Sequence, residues 1–296
     1  MNIKDSILAT LAYHDIFDYP LTLDQIHNLL TGQATDLKKV QKAINVLIKS
    51  KKVQQKNHLF FLEGRGQTAR LRLQKKRYSA GKLKKARLYA RVLALVPTVQ
   101  MVALSGALAM ENAAENDDID LVIVTSKNTL WITRLLANIM LQPFRRRAGE
   151  PHTKDKACLN LFLEESSLKI PTQNLYTAHE TVQMKPLWQR QNAYQRFLKA
   201  NTWVKYYIPN WQPPNADSAF SFPQLGITRI FEKPVKDLQL FYMKKKITTE
   251  KVGKYQLFFH PRNTEEWVLR EYVKKLNMLN KRYSLKETSQ QSSSFD

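Results

Sequence analysis

The sequence predicts an α/β protein with a helical N-terminal unit closed by a hairpin, a central mixed sheet with flanking helices, and a helical C-terminal region. Three observations predict it. In residues 1–65 apolar residues recur at helical spacing in three short runs and then alternate through KVQQKNHLFFLEG. From about residue 97 to 165 the apolar runs VQMVAL, IDLVIVT and ACLNLFL read as buried strands around a glycine turn and a helical stretch. From about residue 171 onward helical composition resumes, punctuated by Pro186 and Pro209. At 296 residues the chain is long enough for two or three small domains.

In the first unit, Ile3, Ile7, Leu8 and Leu11 mark one face of an opening helix that stops at Asp18-Tyr19-Pro20. Thr22 and Gln25 form a capping-box start for a second helix, which carries Leu23, Ile26, Leu29 and Leu30 and ends near Gly32. Asp36 caps a third helix with a buried stripe of Leu37, Val40, Ile44, Leu47 and Ile48. Its opposite face is basic, with Lys38, Lys39, Lys42 and Lys49. The hairpin turns at Lys56 to His58. Three helices and a hairpin resemble a winged helix-turn-helix. That resemblance implies a third helix laid in a major groove with the four lysines against nucleic acid. A packing or dimerisation domain with a solvated lysine face is the competing reading.

Residues 66–96 form a basic connector. Arg70, Arg72, Lys75, Lys76, Arg77, Lys82, Lys84, Lys85 and Arg87 occur with no acid among them, in one or two helices with a break at Ser79 to Gly81. Like charges at helical spacing oppose helix formation, so a phosphate-facing surface is the preferred reading over a solvated linker. The whole chain agrees in sign: 47 Lys and Arg against 25 Asp and Glu give a net charge of +22, which points to a polyanionic partner, DNA, RNA or a phosphorylated substrate.

Cys158 is the only cysteine, which excludes an internal disulfide and a Cys-rich zinc site and suits a reducing cytosol. The N-terminus lacks the apolar core and small-residue cleavage site of a secretory peptide. The most lipid-like run, Thr129 to Phe144, contains Arg134 and Asn138 and is shorter than the roughly 20 residues that span a bilayer. A soluble cytoplasmic protein without membrane contact is expected.

The central region, residues 97–170, carries the chemistry. Val99–Leu104 reads as a strand, Ser105 to Ala107 as a turn, Leu108 to Asn112 as a short helix and Ile119–Thr125 as a second strand. Trp131 to Phe144 reads as an amphipathic helix ending in Arg145 to Arg147, and Ala157 to Leu163 as a third strand. Asp118 and Asp120, two residues apart in an extended segment, project from one face and converge. A divalent cation relieves their mutual repulsion, since Mg²⁺ takes hard oxygen ligands completed by water and phosphate. The competing reading is a capped strand end, with Asp118 on a turn and Asp120 paired to an arginine of the 145–147 cluster.

Ser105-Gly106-Ala107 followed at ten residues by Asp118-Ile119-Asp120-Leu121 resembles the signature of the DNA polymerase β-like nucleotidyltransferase superfamily. The resemblance implies a nucleotidyltransferase-type mixed sheet. It also implies Ser105, Gly106 and Ala107 as the nucleotide-binding turn and Asp118 and Asp120 as catalytic metal ligands. Two Mg²⁺ ions would then hold a nucleoside triphosphate while a hydroxyl attacks its α-phosphate. Two positions depart from the pattern: Ala107 stands where the family has serine, and the strand that should supply a third carboxylate offers Asn160, on the face ascribed to Cys158 and Phe162. Glu164 and Glu165 are the substitute acids. These departures favour the alternative, a catalytically degenerate nucleic-acid-binding regulator or antitoxin-like module.

In the C-terminal region, residues 171–283, Leu175 to Met184 and Leu187 to Tyr206 read as helices, residues 210–223 as a loop and the remainder as helical. Residues 284–296 read as a disordered tail. His179-Glu180 lacks the second histidine of a zinc-protease helix, and His260 before Pro261 reads as a turn residue. The five tryptophans are scattered and read as core or interface residues.

Overall fold

A computed structural model of the chain describes residues 2–147, 149–214, 231–244, 251–259 and 264–292, with side chains as far as residue 281. Residues 215–223 of the expected loop, His260 and residues 293–296 lie outside the described residues.

The N-terminal unit contains α1 (Ile3–Asp15), α2 (Leu23–Asn28), α3 (Leu37–Lys49) and a hairpin of β1 (Val53–Lys56) and β2 (Leu59–Leu62). Local sequence fixes each boundary. Thr22 and Gln25 form the reciprocal capping box on α2, and the Asp36 carboxylate accepts the Lys39 N–H at the start of α3. Asn57 and His58 both adopt positive φ, 51° and 60°, in the two-residue loop whose twist matches that of paired strands. Ile7, Leu11, Ile26, Leu30, Val40 and Ile44 form the core of the unit.

A single helix, α4 (Gln67–Ala94), leads out of it. The expected break at Ser79 to Gly81 does not occur: Ser79 is buried and its Oγ accepts the Ala113 N–H, while Gly81 meets open space. Several cations assigned to a phosphate-facing surface are structural instead. Lys82 is buried, and its ammonium donates to the Glu115 and Asp117 carbonyls and to Asp155. Lys85 pairs with the other oxygen of Asp155, and Arg72 lies over the Tyr19 ring and donates to the Pro20 carbonyl. The outer face of α4 keeps Arg70, Lys76, Arg77, Lys84, Arg87 and Arg91 exposed.

The central sheet runs β6-β3-β4-β5-β8-β7. Its strands are β3 (Val99–Leu104), β4 (Ile119–Thr125), β5 (Ala157–Glu164), β6 (Lys185–Gln189), β7 (Lys251–Val252) and β8 (Gln256–Phe258). Only β4 and β5 pair in parallel, which makes the sheet mixed. Between β3 and β4 lies a short α5 (Gly106–Ala109), and between β4 and β5 lies α6 (Leu130–Met140). One face of the sheet, with Val102, Leu104, Leu121, Ile123 and Phe162, is covered by α4, α6 and α9 (Glu232–Met243). The other, with Met101, Ala103, Val122, Val124 and Leu161, meets α7 (Leu175–Gln183), α8 (Ala193–Ala200) and a 3-10 turn at Thr202–Tyr206.

Two C-terminal expectations are corrected. The helix expected over Leu187 to Tyr206 begins only at Ala193, because Lys185–Gln189 joins β3 as a strand. Pro186 is tolerated there since that strand is the sheet's edge. The region read as helices joined by a loop thus supplies both edges of the sheet. The last helix, α10 (Thr264–Ser292), runs through most of the expected tail, where extending a helix already nucleated costs less than starting one. It packs on α1 and α7, joining the N-terminal unit to the core.

Candidate metal and nucleotide site

The backbone reverses between β3 and β4 at Gly106, where φ is +62°. A Cβ there would lie 2.9 Å from Asp120 Oδ2, so glycine is required both by the turn and by the carboxylate turned in against it. The Ser105 N–H donates to the Asp120 carbonyl at 3.2 Å and ties the turn to β4.

The three neighbouring aspartates have different surroundings. Asp117 caps a local turn, accepting the Ala114 N–H at 2.7 Å. Asp118 pairs with Arg146, Nη1 to Oδ2 2.7 Å. Asp120 makes no ion pair among the described residues. Burial and the charge of Asp118, with Glu180 adding to both, push its carboxyl up to about 7. The arginine cluster therefore supplies a partner to Asp118 and not to Asp120. Arg145, one residue before Arg146, donates instead to Asn138.

Register decides what stands opposite. Across the parallel β4–β5 pair Asp120 faces Cys158. A bulge follows, where Leu121 pairs with Leu159 and Val122 with Leu161, and it leaves Asn160 as the extra residue. Strict alternation along β5 would put Cys158, Asn160 and Phe162 on one face, and the bulge breaks that alternation. Cys158 holds the place ascribed to Asn160, and Phe162 packs on the opposite face of the sheet from Asp120's neighbours Val122 and Leu161. One donor atom each from Asp118, Asp120 and Cys158 lie within 4.8 Å of one another. The Cys158 thiol donates to Asp120, and burial beside the two carboxylates pushes its pKa up.

Glu164 and Glu165 are not substitutes. Glu164 pairs across from Thr125, at the far end of the strands from Asp120, and Glu165 accepts the Lys127 N–H and pairs with Arg196. The acid that does reach the site is Glu180, on α7, whose sequence context, His179-Glu180, carries no metal-ligand signature. It accepts the Gly106 N–H, and burial pushes its carboxyl up to about 7. Tyr176, one helical turn earlier, has its phenol pushed up by burial and by the charges of Glu180 and Asp120.

Gly106, Ala107, Asp120, Asn160, Tyr176 and Glu180 line a cavity of about 250 Å³, which Tyr13 and His14 of α1 close from the N-terminal side. A second cavity of about 320 Å³ shares Asn160, Tyr176 and Glu180 and extends past Ser105 to Phe258. The Ser105 hydroxyl, 6% exposed, has no hydrogen-bond partner among the described residues. Lys38, Lys42 and Lys49 are exposed on α3, as is Lys39, which pairs with Asp36 at 3.0 Å. Among the described residues no helix is long and apolar enough to cross a membrane. No protein-family model, curated protein or solved structure matches the chain.

Proposed function

We propose that the chain is a metal-dependent nucleotidyltransferase that moves a nucleotidyl group from a nucleoside triphosphate to a hydroxyl acceptor. In this reading it pairs a nucleotidyltransferase-type core with an N-terminal winged helix. The observation that supports this most is the convergence of Asp118, Asp120 and Cys158 beside the Gly106 turn, with Glu180 lining the same cavity as Asp120.

The donor set fits one divalent cation at Asp118 and Asp120. It does not fit a second Mg²⁺, because the third position holds a thiol rather than a carboxylate. A cation bound there would neutralise charge on the triphosphate. Glu180 is the group suited to take a proton, at its carboxylate oxygen, from an acceptor hydroxyl: a carboxyl raised to about 7 is poised near neutrality. Asn160 offers an amide to hydrogen-bond the substrate, and Tyr13 and His14 shield the cavity from water. The exposed cations of α3 and α4 favour nucleic acid as the source of the acceptor or as a docking partner. A reducing cytoplasm would keep Cys158 as a thiol.

A second reading, a catalytically degenerate nucleic-acid-binding regulator, is favoured by two contacts. Arg146 on Asp118 and Glu180 on the Gly106 N–H occupy places that a cation and a phosphate would take. Melting curves with each common nucleoside triphosphate and Mg²⁺, Mn²⁺ or Zn²⁺, run beside a pyrophosphate-release assay with RNA, DNA and small hydroxyl acceptors, separate the two. The transferase reading expects stabilisation that Asp120→Asn loses, together with pyrophosphate release. Stabilisation without release selects the regulator, and no stabilisation by any combination removes both nucleotide readings.

A further inference from the structure

Asp120 and Cys158 are cross-strand partners, and the thiol completes a group of three donors with Asp118. Oxygen and sulfur donors on a tetrahedral zinc-type centre sit about 2.0–2.3 Å from the metal, hence roughly 3.3–3.8 Å from each other. Donors already within 4.8 Å need only small side-chain rotations to meet one ion. The charge at the site is arranged for such an arrival. Arg146 answers Asp118 directly from a partly exposed position, 31% accessible, and can swing outward, whereas Asp120 makes no direct ion pair among the described residues and feels the Arg146 charge only at longer range. A separate observation points to a ligand beside the site: the buried, unpartnered Ser105 hydroxyl, next to the Gly106 turn, opens on a cavity that shares Asn160, Tyr176 and Glu180 with the cavity lined by Asp120.

We propose that Cys158 Sγ is a ligand of the cation held by Asp118 and Asp120, and that the site selects a thiophilic divalent cation of the zinc class over Mg²⁺. The inference rests on the metal-site reading above and sharpens it. Mg²⁺ demands hard oxygen ligands, while thiolate donors select softer ions. On binding, the Sγ–H bond breaks, the proton passes to bulk water and an Sγ–metal bond forms. Substituting the third carboxylate by a thiol thus changes which ion is held, not whether one is held.

The chain has a single cysteine, so a thiolate-to-metal charge-transfer absorption can come only from Cys158. The test titrates Co²⁺, as a coloured stand-in for Zn²⁺, into the reduced, untagged full chain. Expected is a near-ultraviolet charge-transfer band that saturates, is displaced by Zn²⁺ and persists in excess Mg²⁺. Cys158→Ser, near-isosteric, should lose the band and bind Zn²⁺ at least about tenfold more weakly. Cys158→Asp should bind Mg²⁺ more tightly than wild type, with melting curves verifying that both variants fold. Co²⁺ binding without the band, or equal Zn²⁺ affinity in wild type and Cys158→Ser, overturns the inference. If Asp120→Asn still abolishes binding in that case, the metal-site reading stands. If Co²⁺, Zn²⁺ and Mg²⁺ all fail to bind the wild type, both fall together.

Discussion

Glu180 and Asp120 are two carboxyls held near 7 within one small cavity, each chiefly by burial. The native state therefore keeps protons that the unfolded chain, with carboxyls near 4, has already released. Stability from these groups is full below about pH 4 and is lost as pH rises towards about 7. Glu180→Gln removes one of them, so the variant should gain melting temperature relative to wild type as pH rises from about 5 to 7.5, while pyrophosphate release is lost. Thermal melts at several pH values check this; a constant difference across that range would mean Glu180 is already ionised in the native state. Asp118 and Asp120 were legible in the sequence because they are two residues apart, and a strand brings such neighbours to one face. Cys158 was not, because a bulge shifts the alternation by one residue beyond it. Glu180 was not, because its arrival depends on how α7 docks against the Gly106 turn.

Among the elements, α4 was only half readable. Its lack of acids was plain, but whether a given lysine faces solvent or a carbonyl cage is decided by what packs against the helix. Lys82 went inward to Asp155, while Arg70, Arg77, Lys84 and Arg91 repeat along the outer face at seven-residue spacing. The 21 residue-to-residue steps from Arg70 to Arg91 span about 32 Å at 1.5 Å per step. That is a length comparable to one turn of duplex DNA. Replacing Arg77, Lys84 and Arg91 with glutamate should weaken binding to duplex DNA or structured RNA by at least about tenfold and flatten its salt dependence, with little change in melting temperature. Fluorescence anisotropy at two salt concentrations is the measurement, and an unchanged affinity would remove α4 from the nucleic-acid surface. The short strands β6 and β8 escaped notice for another reason. Short segments such as KPLWQ and QLF gain their strand geometry from β3 and β5 and carry too little periodicity of their own.

Across the whole molecule, the order of helical unit, mixed sheet and helical region was readable from where hydrophobic periodicity changes, but the way the parts close on each other was not. The Tyr13 ring stacks on His179 at 3.9 Å, His14 meets His179 edge-on, and Asp15 bridges Arg65 and Lys275. Burial holds both imidazoles neutral, lowering His14 to about 4 and His179 well below its ordinary value; the Arg72 charge adds to the effect at His14 and the neighbouring His14 ring to that at His179, while the Thr10 carbonyl partly offsets it at His14. The unfolded chain takes up these protons near pH 6.5, so this contribution is lost as pH falls, by up to about 1.4 kcal/mol per pH unit for each imidazole kept neutral. Wild type should accordingly lose melting temperature relative to His14→Gln below about pH 6, and parallel curves would mean that His14 is charged in the native state. The unbroken α4 adds something the separate parts do not have. It is fastened to the N-terminal unit through Arg72 and Lys75, and to the loop carrying Asp117 through Lys82. With no joint between those anchorages, α4 fixes the interval between α3 and the acid pair: under the proposed function, a polymer gripped at α3 would offer the acid pair only the nucleotide lying that one set interval from the grip.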